Sequence, residues 1–255
     1  MALFDLFGSR EAREQNQLRK LAQKITQKYG PPENRQKVIE QLGEMGTAAA
    51  LRVLCQRFTT RVDVGIQDDE EKERARQILA GAGSAAVEPV KAFLREQESG
   101  VAWGLRVLAA LVPPEQVVAT ALELLRRLGG EYTRDPEKKL TLLTWLQEHP
   151  DLLTATPAGA APTLEAAILP LLEDFSDDVR IAATRVLARA PLAEAAREGL
   201  IALLLRDGDN ARVRGQVLEA LAAHGADVKG HRPSVEALLV EPFFLDKEGR
   251  VKRRG

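Results

Sequence analysis

Leucines at 42, 79, 108, 146, 187 and 221 close successive apolar stretches of this 255-residue chain, 37, 29, 38, 41 and 34 residues apart. A self-similarity of 20 to 50 residues is the mark of stacked supersecondary units. Four positions after these anchors come Gly46, Gly83, Val112, Pro150, Pro191 and Gly225, with Pro113-Pro114 directly behind the one exception, Val112. Glycine ends a helix by accepting positive φ, and proline ends it by lacking an N–H. Four positions before them come Val38, Ala75, Gly104, Leu142, Ala183 and Val217, all small or apolar. That is the i, i+4 face of a packed helix.

Each anchor is therefore placed on the second helix of a pair. The first helices are expected at Glu11–Tyr29, Thr47–Phe58, Ser84–Gln97, Pro114–Leu128, Thr163–Glu173 and Leu192–Arg206, with a short trailing helix at Ser234–Glu241. No stretch shows sustained period-two alternation, so a sheet-based fold is disfavoured. The expected fold is all-α, with about six stacked pairs. Residues 1–30 should hold an apolar start and a capping helix that opens the first pair, 31–241 the repeat array, and 242–255 an irregular basic tail. Within that tail, Asp246-Lys-Glu-Gly249 reads as a tight turn, compatible with a small hairpin, although a solvated tail is the simpler expectation.

Composition narrows the function classes. Aromatics make up only 4% of the residues, and Ala and Leu dominate long stretches, as suits close-packed helices. The single cysteine, Cys55, lies on an apolar helix and reads as a core residue; one thiol rules out an internal disulfide framework and fits a reducing cytoplasm. No run approaches the length of a membrane span. Met1–Phe7 is apolar but short for a secretory core, and is expected to cap the array or touch a partner. The net charge of −1 hides two ends at +3 each and a body at −7. An acidic body argues against a nucleic-acid face along the whole protein.

Seven positions before the anchors stand Arg35, Lys72, Val101, Lys139, Arg180 and Arg214, so five of six are cationic. Such a ladder has two readings. Each cation can bond a carboxylate or carbonyl of its own or the adjacent repeat and hold the stack together. Alternatively the ladder, with Lys252, Arg253 and Arg254 of the tail, forms a stripe for an acidic partner. The regularity of the ladder favours the first reading. These eight residues are the candidate partner-binding set.

Other features read as structural. Asp68-Asp-Glu-Glu71 opens a helix and favours its positive N-terminus, and Asp207-Gly-Asp-Asn210 is a turn and cap. His149 and His224 fall at helix ends, and neither they nor His231 stand in metal-ligand spacing. Trp103 and Trp145 fall on second helices and should pack between repeats. No catalytic, cofactor or metal motif stands out. The loops Thr59–Gln67 and Thr154–Pro162 exceed what a stacking turn requires, which makes them candidate functional insertions.

The stretch Leu169-Pro-Leu-Leu-Glu-Asp-Phe-Ser-Asp-Asp-Val-Arg-Ile-Ala-Ala183 and its counterpart Leu203-Leu-Leu-Arg-Asp-Gly-Asp-Asn-Ala-Arg-Val-Arg214 share an acidic turn, a Val-Arg pair and an apolar helix. This pattern resembles the HEAT-repeat family; it is specific in these two copies and only periodic in the other four. Arg57-Phe58, Val62-Asp63, Asp68 and Glu71-Lys72, with the ending Phe244-Leu-Asp-Lys-Glu-Gly-Arg-Val-Lys-Arg-Arg254, are similar to bacterial HEAT-repeat proteins. The resemblance implies a right-handed α-α superhelix and a binding role, with the second helices lining the concave side, and brings no catalytic assignment. It points to a cytoplasmic protein-binding scaffold. A repair-like nucleic-acid-binding helical-repeat protein, using the ladder and the basic tail, is the competing expectation.

Overall fold

The anchor leucines are where the core forms: all six are buried, the least covered being Leu187 at 1% exposure. Val38, Ala75, Gly104, Leu142, Ala183 and Val217, one turn earlier, are buried with them. The computed structural model describes residues 2–154 and 163–254, with side chains over 12–153 and 163–254. The side chains of Met1–Phe7 and most of the loop Thr154–Pro162 therefore lie outside the described residues. Among those described, the fold is all-α apart from one two-stranded hairpin.

The chain divides into two compact units, 1–113 and 114–255. The division falls at Pro113-Pro114, where one helix stops and the next starts on a proline. A proline suits the first helical position because its missing N–H would have no partner there.

The first unit holds α1 (Ala2–Ile25), α2 (Pro32–Met45), α3 (Ala48–Cys55), α4 (Gly65–Gly81), α5 (Val87–Glu96) and α6 (Val101–Leu111), with 3-10 turns at Gln56–Thr59 and Gly83–Ala86. Successive helices pair as α1/α2, α3/α4 and α5/α6. First helices also pack on first helices, α1 on α3 and α3 on α5, while α2 packs on α4 and α4 on α6. The unit is thus two rows of three helices. Gly46 ends α2 at φ +58° and donates its N–H to the Leu42 carbonyl, as its place four residues past the anchor requires. Because α4 starts at Gly65, the expected long loop Thr59–Gln67 shrinks to a short connection.

The second unit holds α7 (Pro114–Leu128), α8 (Glu137–Glu148), α9 (Pro150–Thr154), α10 (Leu164–Ile168), α11 (Asp177–Leu187), α12 (Glu194–Arg206), α13 (Ala211–His224) and α14 (Arg232–Glu236), with a 3-10 turn over Leu169–Glu173 that continues α10. Its first row runs α7, α10 with its 3-10 turn, α12 and α14, and its second row runs α8, α11 and α13.

The expected irregular tail is instead an antiparallel hairpin, β1 (Phe243–Leu245) with β2 (Val251–Arg253), packed on α13. Gly249 turns at φ +78°, Val251 is buried, and Val251 N–H donates to Ala226 O at 3.0 Å. Buried apolar contact and backbone pairing hold these residues despite their charge.

One glycine in the second unit is there for space. A Cβ on Gly130, in the α7–α8 turn, would lie 2.2 Å from Pro170 O, so only glycine lets the turns of adjacent pairs meet. Gly130→Ala should destabilise the second unit by about 2 kcal/mol. Gly215→Ala, on α13 where a Cβ meets nothing within 4 Å, should stabilise by about 0.5–1 kcal/mol. Urea unfolding of the two variants checks both signs.

Candidate functional site

Arg35, Lys139, Arg180 and Arg214 stand in the first turn of their second helices, so their side chains rise into the turn that joins the two helices of the pair, whereas Lys72 lies two turns into α4 and bonds Asp68 of its own helix. In the first unit this produces a buried ionic cluster. Arg35 donates from Nε and Nη2 to both oxygens of Glu71 at 2.9 and 3.0 Å, and from Nη1 to Gln27 O at 3.3 Å. Arg57, fully buried, donates to Glu71 at 2.8 Å, to Asp68 at 2.6 Å and to Thr60 O at 2.8 Å. Lys72 completes the set at 2.7 Å from Asp68. Three cations thus enclose two carboxylates, which leaves them no freedom to hold a metal. Burial pushes the Asp68 carboxyl up, but the Lys72, Arg57 and Val62 donors outweigh it and hold it below the usual carboxylate range.

Asp68 and Glu71 therefore do more than favour a helix N-terminus, and Arg57 belongs to the same machinery although it stands outside the ladder. Their spacing offers the clue: Asp68, Glu71 and Lys72 share one helix face at i, i+3 and i+4.

In the second unit the cations reach backwards to their own turn and forwards to the next. Lys139, 1% exposed, donates to Glu131 O at 2.7 Å and to the buried Asp174 carboxylate at 2.6 Å. Asp174 also caps its own turn by accepting from Ser176 N–H at 2.8 Å. Arg180 donates to Asp174 O and, at 3.2 Å, to Phe175 O, and its Nε lies 2.8 Å from Asp207 of the following turn. Arg214 donates to Gly208 O at 2.7 Å, and its buried Nε has no hydrogen-bond partner among the described residues. This geometry is that of a stacking ladder.

The tail cations are engaged more lightly. Arg253 lies 2.9 Å from Glu219 on α13, Arg254 lies 3.5 Å from Glu241 and over the Phe244 ring, and Lys252 Nζ sits beside Gly225 at the end of α13. A cation there complements the negative end of the helix.

The turns that the ladder ties carry two residues that the sequence reading did not single out. Tyr132, in the α7–α8 turn, is 68% exposed, and Phe175, in the turn before α11, is 74% exposed. Their rings meet edge to face, 5.7 Å apart at 85°. Lys139 bonds the residue before each of them, and Arg180 bonds the Phe175 carbonyl itself. Two aromatics placed in polar turns of a chain with only 4% aromatic residues are a signal the sequence does contain.

The other candidates are placed as structural parts. Cys55 is buried, and burial pushes its thiol up to about 12, so it stays protonated. Trp103 stacks on Phe58 with centroids 5.8 Å apart, and Trp145 stacks on His149 at 4.1 Å. His224 Nε2 lies 3.0 Å from Leu187 O of the preceding second helix, and Asn210 caps α13. A groove of about 280 Å³ between α2 and α4 is crossed by the Arg74–Glu40 pair, which closes at 2.6 and 2.7 Å. Among the described residues no cluster of three or more His, Cys, Asp or Glu could hold a metal ion, and no helix is long and apolar enough to cross a membrane.

Comparison of the chain with family models, with curated proteins and with solved structures gave no match.

Because the folded carboxyl of Asp68 is held below its unfolded value, it adds stability above the usual carboxylate pKa of ~3.9 and loses it as pH falls through the lower, folded value. Between about pH 5 and 3, wild type should lose melting temperature more steeply than Asp68→Asn. Arg57→Met, which leaves Glu71 and Asp68 short of donors, should cost about 3–5 kcal/mol at neutral pH. Thermal and urea unfolding measure both.

Proposed function

We propose that this chain is a non-catalytic, protein-binding scaffold of the cytoplasm. Each unit would be a HEAT-type array of three helix pairs, about six in the chain, with the right-handed sense of that family. The anchor period, the two rows of helices in each unit and the cations in the first turn of four of the second helices support this reading.

One observation carries the binding role. Tyr132 and Phe175 expose most of their surface, yet both turns that bear them are tied by buried charges. An exposed aromatic on a loose loop would lose conformational entropy on docking, whereas one on a pinned turn gives up little. Aromatic anchors of this kind supply much of the energy of protein interfaces. The working surface is therefore assigned to the inter-helix turns of the second unit rather than to a concave face of second helices.

The competing nucleic-acid reading has less to draw on. Arg35, Lys72 and Lys139 are buried against carboxylates, and Arg253 and Arg254 pair with Glu219 and Glu241. The three buried cations, spent in this way, cannot release counterions from a phosphate backbone, and the two tail arginines leave only a small basic patch.

Affinity purification from the native cell tests the role, with wild type and the double variant Tyr132→Ala/Phe175→Ala as parallel baits. Both side chains are exposed, so the variant should keep the wild-type melting temperature. At least one captured protein should fall more than about tenfold with the variant and show the same loss when remixed as pure protein. Identical captured sets would contradict the assignment.

A further inference from the structure

We infer that the Tyr132–Phe175 site takes a cationic segment of a partner protein, a stretch bearing lysine or arginine side chains. This rests on the protein-binding reading above and adds the chemistry of the partner.

The charge around the rings decides it. Glu131 precedes Tyr132 in the chain, Asp135 and Glu137 follow it, and Glu173 stands two residues before Phe175; all four are exposed. None of the four forms an ion pair among the described residues, and Asp135 accepts one backbone hydrogen bond, from Glu137 N–H at 3.0 Å; the neighbouring Asp177 and Asp178, by contrast, are paired with Arg180 and Arg212. The only basic residue within 129–137 and 173–178 that is not buried is Arg134. Four carboxylates without an ion pair thus stand beside the two exposed rings in sequence; Arg180 and Arg206 also reach the second turn, but both are engaged, by Asp177 and Asp207 and by Asp207 and Leu172 O respectively.

Three kinds of partner meet this surface differently. An apolar partner would take carboxylates out of water without a counter-charge, which is unfavourable. A phosphate-rich partner, nucleic acid or anionic lipid, would be repelled. A lysine or arginine side chain gains twice, from the carboxylates and from the negative face of a ring within about 6 Å. The two rings stand at 85°, so their faces point in different directions and can receive cations from more than one side. A second copy of the chain would bring only a short basic end, whose Arg253 and Arg254 form surface pairs with Glu219 and Glu241 that would have to exchange, and sedimentation separates that occupant from a partner protein.

The experiment uses the full chain and three fluorescein-labelled peptides of equal length: one of alternating lysine and leucine, one with glutamate for lysine, and one with serine for lysine. Fluorescence anisotropy is recorded at about 50 and about 300 mM salt, on either side of the range where screening becomes strong. The lysine peptide should bind, and bind more weakly at high salt. Phe175→Ala and Tyr132→Ala should each weaken it about fivefold or more. The combined Glu131→Gln, Asp135→Asn, Glu137→Gln and Glu173→Gln variant should weaken it about tenfold, while Arg134→Glu should strengthen it. The Glu131→Gln change keeps the carbonyl that Lys139 uses, and Asp135→Asn keeps an oxygen for the Glu137 N–H that Asp135 caps at 3.0 Å, so an unchanged melting temperature separates lost binding from a loosened turn.

Binding of the lysine peptide that ignores both the rings and the acids would overturn the inference, as would no binding at all. Ring-dependent binding of the serine or glutamate peptide would overturn the cationic partner but leave the protein-binding reading standing. Ring-dependent self-association in sedimentation would show a second copy as the occupant and overturn it equally. A proteome capture that fails while the lysine peptide binds through the rings would sink the cellular role alone.

Discussion

A buried cation cannot be left alone. Taking an ammonium or guanidinium out of water costs several kcal/mol unless acceptors meet it in good geometry. In the second unit Lys139 meets that demand with one carbonyl of its own turn and one carboxylate of the next. The next pair must therefore arrive in register, because a displacement of its turn strands Lys139 and Asp174 together. Arg180 repeats the pattern towards Asp207. Apolar burial drives the rows of helices together without direction, and the charges fix where each pair stops.

The first unit solves the same problem with more parts. Glu71 accepts from Arg35 of the preceding pair and from Arg57 of its own, and Asp68 gathers Arg57 and Lys72. The connection before α4 is held by backbone groups that join this cluster, Thr60 O and Val62 N–H. In both units, then, buried charges tie several of the inter-helix turns. Turns held in this way can present side chains to a partner without ordering a loop first, and Tyr132 and Phe175 stand on two of them.

Much of the fold was legible because helical packing writes a period into the chain. The anchors, the residues one turn before them and the glycine at 46 and 225 all act as their positions imply. The break at Pro113-Pro114 was visible only as a helix stop, since nothing local distinguishes the end of a helix from the end of a unit. The ladder was legible as five cations in register, and its partners were not. Asp174 follows an apolar helix and Arg57 follows a core cysteine, and the long-range contact that pairs each of them has no local signature. The hairpin lay within reach through Asp246–Gly249, but the charge of Lys252–Arg254 masked the buried Val251. Tyr132 and Phe175 were passed over because aromatics at turn positions break no helical period.

The central claim is that Lys139 and Arg180 of the ladder act as coupled pairs with the carboxylates of the following turn, Asp174 and Asp207. A double-mutant cycle on Lys139 and Asp174 tests it most directly, with Lys139→Met, Asp174→Asn and the combined variant unfolded in urea. Each single change leaves a buried polar partner unmatched, so the double variant should recover part of the loss, with a coupling of at least about 2 kcal/mol. Losses that add to within about 0.5 kcal/mol would show that the two residues act independently and would contradict the ladder as the element that sets the stack.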